Sequence, residues 1–180
     1  MWSFATPALT EHVFGAPMPN PGAVDFENAY GAYNQAANKV GSAMGLYGLT
    51  SMGFALVLTL VTASRSINQR LIHGVSLALG GLGFAGMTLA GPEYPEIINL
   101  GFGLIGLAWG SILSMPYALL SSHVAPERMG ISMGLFNMFI VLPQIVAALG
   151  GVNWTYKLLF GEAVIHTMSL AGLSLLLGAL

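Results

Sequence analysis

Five stretches of this chain, residues 40–64, 71–92, 97–126, 129–156 and 163–180, carry no Asp, Glu, Lys or Arg. Four are long enough, and the last barely so, to cross a ~30 Å hydrocarbon core as helices of about 20 residues. Within lipid every backbone N–H and C=O needs an internal partner, which leaves helices or closed barrels. None of the stretches has the alternating ten-residue pattern of a barrel strand. The expected fold class is therefore an all-α membrane protein.

Composition agrees. Charged residues make up 7% of the 180 and hydrophobic residues 55%, with a mean hydropathy of +0.74. Soluble domains carry about 25% charge. A net charge of -2 without a basic run gives nucleic acid nothing to bind. With no cysteine, thiolate metal sites, disulfides and Cys nucleophiles are excluded. No Ser/His/Asp set or His-x-x-x-His pair appears, and the four histidines are dispersed, so no catalytic residue, metal site or cofactor is expected and the chain does not read as an enzyme.

The expected segmentation is a single transmembrane bundle. Residues 1–13 form the outer part of one helix, and residues 14–38, rich in Pro, Gly and Asn, form an outer loop. Helices follow at about 39–63, 71–91, 97–122, 129–149 and 163–180. The start, Met1-Trp2-Ser3-Phe4, enters apolar sequence without a signal-peptide charge and reads as an internal methionine of a longer helix. Arg65, Arg70 and Arg128 fall on one side, Lys39 and Lys157 on the other. The positive-inside rule thus assigns loops 64–70 and 122–129 to the cytoplasm of a multi-pass protein.

Three spans each carry a small-and-polar stripe at helical spacing: Gly41, Gly45, Gly48, Ala55 and Thr59; Gly103, Gly106, Gly110, Ser114, Tyr117 and Ser121; and Gly130, Gly134, Asn137, Val141, Gln144 and Ala148. The glycines are expected to be packing seams. Asn137 and Gln144 project the same way, and amides at membrane depth face a partner or a polar cavity. Tyr117, Ser114 and Tyr47 are further candidates for that wall. Two matches to G-x-G-x-x-G, at Gly81–Gly86 and Gly101–Gly106, lie inside apolar spans, follow no strand and carry no nucleotide.

Residues 109–151 resemble a known family. The run Ser114-Met115-Pro116-Tyr117-Ala118-Leu119, then Pro126-Glu127-Arg128-Met129-Gly130, then Gly134-Leu135-Phe136-Asn137-Met138-Phe139-Ile140-Val141-Leu142-Pro143-Gln144, is similar to helices 10 and 11 of the sucrose–proton symporters. These stand beside the glycoside–pentoside–hexuronide cation symporters in the major facilitator superfamily. Phe4-Ala5-Thr6-Pro7-Ala8 with Glu11-His12-Val13-Phe14-Gly15 resembles the outer end of helix 7 in the bacterial branch. The resemblance implies the C-terminal six-helix bundle of such a transporter with its first helix truncated. It also implies a sugar substrate, a coupled proton, and a missing N-terminal half that supplies the coupling acid. Asn137, Gln144, Tyr117, Ser114 and Tyr47 would then be the substrate-binding wall, in a fragment inactive by itself. The alternative is a non-transporting membrane subunit or sensor that kept the fold.

Overall fold

The computed structural model describes residues 2–64, 67–161 and 163–180, so Arg65 of the basic loop and Glu162 lie outside the described residues. Its helices are α1 (Trp2–Phe14), α2 (Phe26–Ser64), α3 (Gln69–Met87), α4 (Ile97–His123), α5 (Met129–Ala148), α6 (Gly151–Phe160) and α7 (His166–Gly178), with one 3₁₀ turn at Pro126–Arg128. Four segments are long and apolar enough to cross a membrane: Phe26–Thr62, Gln69–Met87, Ile97–His123 and Pro126–Ala148. The chain is an all-α, multi-pass membrane protein.

Three expectations need correction. Residues 26–38 are helix rather than loop, so α2 runs 39 residues, about 58 Å at 1.5 Å per residue. Past the turn at Pro21-Gly22 this segment has no proline and holds Ala29, Ala32, Ala36 and Ala37, which favour helix despite its polarity. Asp25 starts it, its carboxylate accepting from the Asn28 amide at 2.7 Å. At the other end of the chain, residues 150–162 hold the ten-residue helix α6. The final helix shrinks to 13 residues, about 20 Å, because Val164 and Ile165 form a turn that leads into it.

In lipid, burying a leucine gains little over leaving it against acyl chains, so helices associate through close backbone approach and polar contacts. Glycines supply that approach here. A Cβ on Gly83 would stand 2.7 Å from the Gly101 carbonyl oxygen, and one on Gly81 would stand 2.9 Å from that of Gly172. These contacts run α3 antiparallel to both α4 and α7. Gly106 meets Thr50 and Gly110 meets Ser51 and Phe54, which sets α4 parallel to α2. The glycines of both G-x-G-x-x-G matches thus include the seams of the bundle.

The core sits toward one end, where short α1 wedges between its neighbours. Ala5, Ala8, Leu9 and Val13 of α1 pack with Val40, Met87, Phe102, Ile105 and Met168. Two contacts tie α1 down at that end. The His12 ring nitrogen Nε2 lies 3.1 Å from the Thr88 carbonyl oxygen, and the Lys39 ammonium lies 5.2 Å above the Phe14 ring. At the opposite end, Asn68 caps α3 by accepting from the Leu71 N–H at 3.1 Å.

Candidate functional site

The polar wall predicted on the fourth and fifth helices is only partly assembled. Pro116 removes one ladder hydrogen bond of α4, and beside it Tyr117 turns toward α5. Its hydroxyl donates to Asn137 Oδ1 at 3.0 Å, and its ring meets Phe136 edge-on with centroids 5.1 Å apart. One aromatic residue and one amide, 20 positions apart in sequence, therefore form a single polar unit. With Oδ1 occupied, the Asn137 amide keeps two N–H donors and the Tyr117 oxygen keeps an acceptor site, the groups that hydroxyl-bearing ligands use.

The other candidates stand apart from this pair or beside it without contact. Ser114 is exposed and its hydroxyl donates to the Gly110 carbonyl at 2.7 Å. Gln144 is exposed two turns farther along α5. Tyr47 is half-buried in the α2–α4 seam, edge-on to Trp109 with centroids 6.1 Å apart. Trp109 precedes Tyr117 by eight residues, about 12 Å along the helix axis, so Tyr47 belongs to a different level of the bundle.

Two stripes expected to be packing seams are uncovered. Cβ atoms added at Gly41, Gly45 and Gly48 of α2, or at Gly130 and Gly134 of α5, would meet nothing within 4 Å. None of the α5 residues is buried. The side of α2 that packs is instead the one carrying Val40, Ala43, Tyr47, Thr50, Ser51 and Phe54. The reason is geometric: a small-residue stripe shows where a backbone can be approached, not which helix approaches it.

Sequence reasoning missed three features. His73 Nδ1 lies 2.8 Å from the hydroxyl of fully buried Ser111, a polar link between α3 and α4. Ser111 lies off the predicted stripe, and His73 had no partner within reach in sequence. Trp109 and Phe136, which brace Tyr47 and Tyr117, stood in the motif without an assigned role. The third is an open, mostly apolar cavity of about 850 Å³, bounded by Phe4 of α1, Phe139, Leu142 and Pro143 of α5, Trp154 of α6 and Leu170 of α7. Helical register puts Phe139 and Leu142 on the face of α5 opposite Asn137 and Gln144. Among the described residues no group of three or more His, Asp or Glu could hold a metal.

Comparison with known proteins finds sucrose transport proteins among the sequence relatives of this chain. The chain is 29% identical over 161 residues to the sucrose transport protein SUT2 of Oryza sativa subsp. indica, covering 78% of this chain and 32% of that protein. It is 28% identical over 134 residues to the sucrose transport protein SUC4 of Arabidopsis thaliana, covering 63% and 26%. A 67-residue stretch is 36% identical to the sucrose transport protein SUT5 of Oryza sativa subsp. indica, covering 36% and 12%. The chain thus spans about a third of the length of the first of these relatives. No family model and no solved structure matches it.

Proposed function

We propose that this chain is the carboxy-terminal part of a proton-coupled sugar symporter of the sucrose-transporter type, within the major facilitator superfamily. The observation that carries this reading is the likeness to SUT2 across 78% of the chain. The geometry is compatible with it. Tyr117 and Asn137 offer an uncharged set of donors and acceptors suited to sugar hydroxyls, and a site of this kind selects by leaving its polar groups unpaired with a wrong substrate. Ser114 and Gln144, exposed on the same two helices, would extend the wall, while Tyr47 would contribute only from its separate level.

The uncovered stripes of α2 and α5 would receive the complementary six-helix half, which would also bring the acid that couples protons. Arg70 and Arg128, at the end opposite Glu11, Lys39 and Glu93, would face the cytoplasm of a cell membrane. The chain alone then supplies one wall of a cavity and neither binds sugar well nor moves it.

Uptake of radiolabelled sucrose into cells tests this. Cells making the chain together with an N-terminal half from a sucrose-transporter relative should accumulate label, and a protonophore should abolish it. Cells making the chain alone should not. Asn137→Ala in the paired system should lower uptake about tenfold at unchanged membrane level, the loss of roughly 1.4 kcal/mol of binding. Paired cells that assemble both halves and take up nothing would favour the second reading, a subunit or sensor. That reading draws on the lack of any Asp or Glu deep within the spans.

A further inference from the structure

Among the described residues, one side-chain hydrogen bond ties α5 to another helix of the bundle. Helix α5 buries none of its 20 residues, and its small-residue stripe is uncovered. The Tyr117–Asn137 hydrogen bond, with the edge contact of Phe136, grips it near its middle, Asn137 being its ninth residue. On its other side stands the cavity of about 850 Å³, which separates Phe139, Leu142 and Pro143 from Phe4 of α1 and Leu170 of α7. A helix pinned at its middle beside open volume has one easy motion, rotation about the pin. We infer that α5 is a hinged helix, that the Tyr117–Asn137 hydrogen bond is the latch holding it away from α7, and that breaking the bond lets its far half swing into the cavity.

The lever is long enough to matter. Eleven residues follow Asn137 within α5, about 16 Å of helix. A rotation of about 10° at the latch therefore carries the far end about 3 Å. Pro116 sits beside the latch on α4 and Pro143 lies within the moving half, so both helices lack a ladder hydrogen bond where the motion bends them. Among the described residues this is a side-chain hydrogen bond joining α4 to α5 within both spans. The inference concerns the motion of α5 and does not depend on the sugar reading.

The chain has no cysteine, so introduced cysteines take spin labels at unique positions. Labels on Leu149→Cys, just past α5, and Leu173→Cys of α7, both exposed, report the gap across the cavity. The measurement is double electron–electron resonance on the full chain in lipid nanodiscs. Tyr117→Phe should shorten the mean distance by about 3 Å or broaden its distribution about twofold. Asn137→Ala should do the same, and the double variant should do no more than either alone, because one bond is lost in all three. Circular dichroism monitors helix content, and if Asn137→Ala loses helix the Tyr117→Phe arm decides. An unchanged distribution in Tyr117→Phe, or effects that add in the double variant, would overturn the latch. Failure of sucrose uptake in cells bears on the transport reading and leaves this result standing.

Discussion

Helices α3 and α5 are of similar length, 19 and 20 residues, and both are glycine-bearing and apolar, yet the bundle treats them differently. The first buries Ser76, Leu77, Gly80, Gly81, Gly83, Phe84 and Met87 between α4 and α7, while the second buries nothing. The difference lies in what meets their glycines. Gly83 faces the backbone of Gly101, and Gly81 faces that of Gly172, so small residues meet small residues and the chains close to backbone distance. Gly130 and Gly134 face open space. In lipid, where apolar burial drives little, reciprocal small residues separate a packed helix from one that waits for a partner.

The largest test of that contrast is Gly81→Leu. A side chain there would enter the Gly172 carbonyl oxygen and the Leu176 side chain, and the Gly172 backbone cannot yield, so overpacking should cost about 3 kcal/mol. Thermal unfolding in detergent micelles should show loss of a cooperative transition. Gly134→Leu on α5 should change the stability of the isolated chain by less than about 0.5 kcal/mol, having nothing to strike. Equal losses at both positions would erase the distinction.

Smaller effects sharpen it. Ser111→Ala removes the partner of His73 at the α3–α4 seam and should cost about 1 kcal/mol, read from the same unfolding curves. Asn68→Ala, which uncaps α3 at Leu71, should cost a similar amount or slightly less. Tyr117→Phe should be smallest, about 0.6 kcal/mol, since its bond is exposed and holds a helix that buries none of its residues. A cost above that of Ser111→Ala would mean α5 is integrated as firmly as α3.

Much of the fold was legible because it follows from solvent. Charge-free stretches predicted the membrane helices, and α3, α4 and α5 lie close to their expected limits. What failed were features that charge cannot signal. The helical start of α2 is polar, and α6 is short and carries Lys157, so both looked like loop. In the candidate site, spacing put Tyr117 and Asn137 on stripes of adjacent spans, but their bond depends on how α4 and α5 turn toward each other. Tyr47 carried the same kind of signal and sits elsewhere, against Trp109.

The sequence alone determined that this chain lives in a bilayer, which segments are rich enough in apolar residues to enter it, and which faces of those helices a backbone could approach. These are properties of single segments, fixed by hydropathy and by the 3.6-residue period. Only the tertiary structure decided which approachable faces are used: those of α4 and α7 each on α3, while the glycine stripes of α2 and α5 are left uncovered. That choice depends on pairs of surfaces, and no single helix contains the information about its partner.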